Sequence, residues 1–239
     1  LIKFIDAKEA LSIQVHPNDE LAKERHNSFG KTEMWYVMQA EAEGNLIVGF
    51  SKDSSKEEYV KHLESKSLLN ILNVEKVKKG DVYYIPTGRI HAIGAGVLLA
   101  EIQQTSDITY RVYDWDRVDD AGNSRELHTE LALDANDYSA EKEYATLYKK
   151  ELNKPTQIVD CKYFTTNLII MNGEIVINNA QIDSFVIYMC MEGEVIIVYN
   201  DLKEERLLKG ETVLIPASLK DYQLKSTVNS ELLEVYIKE

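Results

Sequence analysis

The sequence predicts an all-β protein that is built from two related β-barrels in tandem. Three observations support this fold class. Short apolar runs, separated by glycine, asparagine and aspartate, recur along nearly all of the 239 residues, which is typical of sandwiches and barrels. Helical patterns are few. One strand–turn–strand unit also occurs twice, about 130 residues apart, as expected for a duplicated barrel.

Each strand-like run is short and bounded by turn residues. The run LSIQVHP alternates strictly, so Ile13 and Val15 face one side while Gln14 and His16 face the other. The first half contains LIKFIDA, LSIQVHP, EMWYVMQA, GNLIVGF, DVYYIP, GVLLAEIQQ and DITYRVYDW. The second half contains FTTNLIIM, GEIVI, SFVIYMCM, GEVIIVYN, ETVLIPA and LLEVYIK.

Three segments favour short helices that pack on the barrel exterior. The first is PNDELAKERHN, directly after His16. Residues 54–72 begin with a serine N-cap candidate that is followed by acidic residues and then by spaced apolar ones. Residues 124–135 start with another serine and place leucines at helical spacing.

The internal repeat predicts the domain organisation. The segment KGDVYYIPTGRIHAI in the first half matches KGETVLIPASLKDYQL in the second, and the strand pairs before both segments also match. We expect residues 1–115 to form a first barrel that carries the metal and active site. Residues 116–154 are expected to form a helical connector, and residues 155–239 a second, metal-free barrel with a structural role.

Composition excludes several classes of partner. The formal net charge of −13 argues against nucleic acid, and no run of 18 apolar residues predicts a membrane-spanning helix. Cys161 and Cys190 form no disulfide framework, which fits a reducing cytoplasm. The chain opens at Leu1 without an initiator methionine, so we expect an upstream segment to be absent from this sequence.

The two repeat copies differ at the position where a metal ligand would lie. Copy one has His91 five residues after its proline, whereas copy two has Asp221 there. All five histidines fall within the first 128 residues. A metal site, if present, therefore belongs to the first barrel.

Four side chains of the first barrel are expected to converge. Gln14 and His16 share one strand face, Glu33 opens another strand, and His91 follows a Pro-Thr-Gly turn. Two imidazoles, one carboxylate and one amide oxygen suit zinc and are compatible with other first-row divalent metals.

Read together, the segments SIQVHPND, GKTEMWYV, PTGRIHAIGAG and TSDITYRVYDW resemble the type I phosphomannose isomerases in their short bacterial form. The resemblance covers essentially the whole chain. It implies two cupin (jelly-roll) barrels, one zinc ion, and interconversion of mannose 6-phosphate and fructose 6-phosphate. It also implies a small-molecule sugar phosphate as partner, and leaves monomer and homodimer open.

The resemblance also implies site residues. The family's four zinc ligands correspond to Gln14, His16, Glu33 and His91. Its pocket lysines correspond to Lys3 and Lys31, and its residues at or near catalysis and phosphate binding to Glu101, Asp107 and Arg111. One departure is Gly30, where some members have histidine, so a proton-transfer role of that histidine does not carry over.

Several roles and functions stay open at this point. Glu101 and Asp107 are both base candidates, with Lys3 in support. Arg111 is either a phosphate anchor or a cation that holds the enediolate, and Lys31 is the other phosphate candidate. Two other functions compete with the isomerase: a metal-binding cupin with dioxygenase-like chemistry, and a truncated cupin that binds sugar phosphate without turnover.

Overall fold

The computed structural model describes residues 1–200 and 202–238. Strands account for 46% of the chain and helices for 12%, so the predicted all-β class is confirmed. The chain divides into two compact units, Leu1–Thr146 and Leu147–Glu239. Residues 116–146, expected in the connector, group with the first unit, and α3 (Thr129–Ala135) is the one helix described there. The three-part domain division stays a prediction.

Two sheets form the first unit. One has the strand order β1-β8-β3-β6 and the other β5-β4-β7-β2-β9. All pairings between these strands are antiparallel, as is typical when hairpins and meanders build a barrel or sandwich. The strands are β1 (Ile2–Ala7), β2 (Ile13–Val15), β3 (Glu33–Ala40), β4 (Asn45–Phe50), β5 (Leu72–Lys76), β6 (Val82–Ile85), β7 (His91–Ile93), β8 (Val97–Gln103) and β9 (Tyr110–Tyr113).

The helices of the first unit are shorter than their sequence patterns. In α1 (Asp19–His26) the side chain of Asn18 caps the N-terminus. The predicted helix 54–72 is instead α2 (Lys56–Glu64) followed by a separate 3-10 helix (Leu68–Ile71), because Lys66 between them has a φ of 54°. The predicted helix 124–135 starts only at Thr129.

The two faces of β2 have different environments. Ile13 and Val15 are fully buried in an apolar cluster with Tyr59 of α2 and Ala132 of α3, so the helices cover this face of the five-stranded sheet. A second cluster joins residues of both sheets, among them Trp35 of β3. The alternation in LSIQVHP therefore turns Gln14 away from the helices and toward the space between the sheets.

The second unit is one sheet of seven strands. β10, β11, β16, β12 and β15 follow each other in that order, while β13 pairs with β14 and β16. A single apolar cluster fills its interior. The strands are β10 (Lys154–Asp160), β11 (Thr165–Asn178), β12 (Val186–Glu192), β13 (Glu194–Tyr199), β14 (Lys203–Leu208), β15 (Thr212–Ile215) and β16 (Asp221–Tyr236).

The sequence repeat has a structural counterpart in each unit. Gly80 and Gly210 both adopt positive φ, at 89° and 83°, in the turn before β6 and β15. In each turn the acidic residue after the glycine accepts a hydrogen bond from the backbone N–H three residues earlier, Asp81 in the first and Glu211 in the second. The Lys-Gly-acid motif thus encodes the same turn twice.

Candidate metal centre and active site

Three buried side chains from both sheets of the first unit meet between those sheets. Glu33 is the first residue of β3, His91 is the first of β7, and His16 directly follows β2. Their potential ligand atoms all lie within 4.8 Å of one another. In the described part of the chain, this is the one group of at least three histidine, cysteine or acidic residues with such spacing.

Backbone carbonyls fix the orientation of both imidazoles. His16 Nδ1 lies 2.9 Å from the carbonyl oxygen of Ile108, and His91 Nδ1 lies 2.8 Å from that of Arg89. A carbonyl oxygen only accepts, so each Nδ1 carries the proton and each Nε2 presents its lone pair. The two Nε2 atoms point at one carboxylate: His16 Nε2 is 3.4 Å from Glu33 Oε1 and His91 Nε2 is 3.6 Å from Glu33 Oε2.

The polar atoms of this cluster are not satisfied by the protein. Among the described residues, His16 Nε2 and both carboxylate oxygens of Glu33 are buried without a hydrogen-bond partner. Leaving such groups unpaired costs about 1–3 kcal/mol each, and more for charged ones. A divalent cation bound by the two nitrogens and the carboxylate would satisfy all three atoms, so the residues present fit a metal ion.

Gln14 is placed to complete the set. It lies opposite His91 in the strand pairing, and its Nε2 is 3.2 Å from His91 Nε2. Rotation of the amide by 180° would bring Oε1 to the same place, where it is a metal ligand rather than a donor. The four predicted ligands are therefore neighbours in the fold.

The local charge balance favours an ionised carboxylate beside a neutral imidazole. Burial opposes ionisation of Glu33, but His16, His91 and Lys31 outweigh it and hold the pKa of Glu33 well below its usual range. Burial lowers the pKa of His91 to about 3, and the neutral imidazole is the form that binds metals. Lys31 Nζ lies 3.2 Å from Glu33 Oε1, and this lysine is itself buried.

A second polar group lies on the same face of the four-stranded sheet. Lys3, Glu101 and Trp35 are directly opposite one another on β1, β8 and β3, so their side chains share one face, and Trp35 shares it with Glu33 two residues earlier. Lys3 Nζ donates to Glu101 Oε1 at 2.7 Å, and Trp35 Nε1 donates to Glu101 Oε2 at 2.9 Å. Both oxygens of this buried carboxylate are thus held.

The remaining two predicted residues differ in environment. Arg111 lies on β9 opposite Gln14, next to a register shift of the kind that re-aims side chains near active sites. Its Nη1 donates to the carbonyl oxygen of Glu126 at 2.8 Å, while Nε is buried without a partner in the described residues. Asp107 is exposed in the loop between β8 and β9.

Three further residues at the site did not stand out in the sequence. Gln103 lies opposite Glu33 and accepts from Lys3 Nζ, and its position two residues after Glu101 was the available indication. Trp35, read as core or pocket wall, also packs edge-on against His91 with ring centroids 5.3 Å apart. His128, read as a surface residue, bonds the backbone of Arg111.

The structure thus defines a cupin-type β protein with a buried cluster able to hold a metal ion. Residues 153–237 match the family model "Mannose-6-phosphate isomerase, cupin domain". The mannose-6-phosphate isomerase ManA of Bacillus subtilis is 34% identical over 228 residues, covering 94% of this chain and 71% of that protein. The mannose-6-phosphate isomerase of Streptococcus mutans is 34% identical over 93% of this chain and 70% of that protein.

A solved structure gives the same result. The crystal structure of the Bacillus subtilis mannose 6-phosphate isomerase superposes with a TM-score of 0.89 at 36% identity, covering 99% of this chain and 74% of that one. The chain belongs to the mannose-6-phosphate isomerase family of enzymes. No helix among the described residues is long and apolar enough to cross a membrane.

Proposed function

We propose that this chain interconverts D-mannose 6-phosphate and D-fructose 6-phosphate through an enediol, at one zinc ion held by Gln14, His16, Glu33 and His91. The observation that carries the proposal is the set of unpartnered buried atoms, His16 Nε2 and both Glu33 oxygens, in a member of this isomerase family. Two nitrogen and two oxygen ligands form a donor set that zinc accepts. Bound there, zinc would act as a Lewis acid that polarises oxygens of the sugar.

The environment of the two base candidates favours Glu101. A general base must reach a carbon-bound proton in a site from which water is largely excluded. Glu101 is buried and shares the inner sheet face with Glu33, whereas Asp107 is exposed in a loop. Lys3, paired with Glu101 at 2.7 Å, stabilises the ionised carboxylate that a base requires.

The reaction then needs one carbon-to-carbon proton transfer. Glu101 takes the C2 proton of the open-chain aldose, the electron pair forms the C1–C2 double bond, and the carbonyl oxygen O1 becomes the enediolate oxygen. Return of that proton to C1, with a proton moving from O2 to O1, gives the ketose. Arg111 offers its unpaired Nε donor either to the enediolate or to the phosphate, and Lys31 is the other phosphate candidate.

The test combines turnover with metal analysis. Fructose 6-phosphate formation is followed in a coupled assay on the purified chain, with zinc measured by elemental analysis. We expect turnover, one zinc per chain, and loss of both after chelation. Glu101→Gln should lower kcat by at least a thousandfold with zinc retained, while Asp107→Asn, the matched change at the exposed carboxylate, should leave kcat within about threefold.

Other results would select the competing functions. Iron in place of zinc together with oxygen consumption would support a dioxygenase-like cupin. Binding of sugar phosphate and zinc without turnover would support a non-catalytic cupin. Cytoplasmic location and the choice between monomer and homodimer stay predictions, which fractionation and light scattering would test.

A further inference from the structure

We infer that His128 is a positioning residue for Arg111: its Nδ1 and backbone N–H hold β9 so that the guanidinium faces the metal cluster. The inference rests on the proposed function, because Arg111 is assigned to substrate there. His128 has no place in the metal site or in the carboxylate group around Glu101.

The contact between the two residues is reciprocal. The backbone N–H of Arg111 donates to His128 Nδ1 at 3.2 Å, and the backbone N–H of His128 donates to the carbonyl oxygen of Arg111 at 2.7 Å. Because Nδ1 accepts, the neutral ring carries its proton on Nε2. The ring also lies over Tyr110, with centroids 6.4 Å apart. Both backbone polar groups of Arg111 on this side of β9 are therefore used by one residue.

The same segment holds the side chain of Arg111. The carbonyl oxygen of Glu126, two residues before His128, accepts from Arg111 Nη1 at 2.8 Å. This fixes one edge of the guanidinium and leaves Nε, which is buried and has no partner among the described residues, to meet a ligand. The segment 126–128 thus sets both the backbone and the side-chain direction of Arg111.

That segment is anchored at both ends. Before it, the buried carboxylate of Asp114 pairs with Arg125 and with Arg117. After it, α3 is tied to α1, since Arg25 donates to the carbonyl oxygen of Leu131 at 3.1 Å. Movement at His128 is restrained from both sides, which gives its hydrogen bonds the rigidity that positioning needs.

The test compares two substitutions of His128 with one control. His128→Leu removes the acceptor, while His128→Asn keeps an acceptor oxygen near the position of Nδ1. The side chain of His128 makes no capping bond to α3, and its backbone at φ −115°, ψ 41° lacks the extended conformation of an N-cap, so neither change alters the helix start. His62→Leu, at another half-buried histidine of the same unit, is the matched control.

We expect kcat/KM to fall about tenfold in His128→Leu, between the effect of one lost hydrogen bond and that of a displaced catalytic group. His128→Asn should recover most of that loss, and His62→Leu should stay within twofold of the parent chain. Zinc content should be unchanged in all three. In a cycle with Arg111→Lys, His128→Leu should cause little additional loss, because both changes remove the same interaction.

Hydrogen exchange of the Arg111 amide separates this inference from the proposed function. Protection should be lost in His128→Leu and kept in His128→Asn, whether or not the chain turns over sugar phosphate. Equal activity in His128→Leu and the parent, or equal loss in the leucine and asparagine variants, overturns the inference. Absence of isomerase activity in the parent chain overturns the proposed function, and the amide protection then still decides whether His128 holds β9.

Discussion

Replacing Trp35 with phenylalanine tests how the base candidate is held. The indole N–H of Trp35 donates at 2.9 Å to Glu101 Oε2, and both residues are buried. A hydrogen bond to a charged group contributes about 1.5–3 kcal/mol, and the volume lost on going from indole to phenyl adds about 1 kcal/mol in a closed core. We expect the free energy of unfolding to fall by about 3 kcal/mol.

The activity should fall as well, for a separate reason. Glu101 would keep the contact from Lys3 but lose the donor that fixes its other oxygen. Loss of one of two orienting donors predicts about a tenfold lower kcat/KM. The phenyl ring still fills the space beside His91, so zinc content should be unchanged.

Trp115→Phe is the matched control, since this chain has two tryptophans. Trp115 Nε1 donates at 2.9 Å to the neutral carbonyl oxygen of Leu11, so the same change should cost about 1 kcal/mol and leave kcat/KM unaltered. Urea unfolding followed by circular dichroism gives the stabilities, and the coupled isomerase assay gives kcat/KM. Equal stability losses, or full activity in Trp35→Phe, would refute the assigned role of the Trp35–Glu101 bond.

Three further predictions concern the metal, the cation and the segment next to β9. Glu33→Gln should abolish zinc binding, and zinc at a hundred times its Kd should stabilise the parent chain by about 2.7 kcal/mol but not the variant; a stoichiometric zinc signal in the variant would contradict the ligand assignment. Arg111→Ala should cut turnover heavily with zinc retained, and loss of zinc would count against its assigned role. Burial opposes ionisation of Asp114, yet Arg125 and Arg117 outweigh it and hold the pKa of Asp114 below its ordinary value of 3.8. That stabilisation is present above the ordinary pKa and is lost as pH falls through the lowered one, so Asp114→Asn should cost about 2 kcal/mol at neutral pH, discounted for the exposure of Arg125, and little in strong acid; a pH-independent difference would refute it.

The strand pattern could be predicted from the sequence where apolar residues alternate or run together. The runs around Trp35, Val48, Leu99 and Val198 all became strands. The strands β5, β10 and β14 were missed, because their charged and exposed residues give no strong period. The long strand β16 was expected only near its end, since polar residues in its middle resemble a turn.

Helix ends were predicted less well than helix positions. Ser55 rather than Ser54 caps α2, because its side chain accepts from the N–H of Glu58. The apolar pattern that continues to Leu72 reflects packing of the 3-10 helix and β5 on the same core. Periodicity reports which residues are buried and does not report where the backbone breaks.

The sequence by itself determined the fold class, the repeated turn, and the assignment of every histidine to the first half of the chain. It determined these because alternation, glycine-containing turns and composition are local properties. Only the tertiary structure decided that His16, Glu33 and His91 meet, that Glu101 is buried while Asp107 is exposed, and that His128 holds Arg111. These pairs are brought together by strand register and sheet packing between residues 16 to 75 positions apart along the chain, apart from the six separating Glu101 and Asp107. Such long-range geometry is set by the whole fold and not by any one segment.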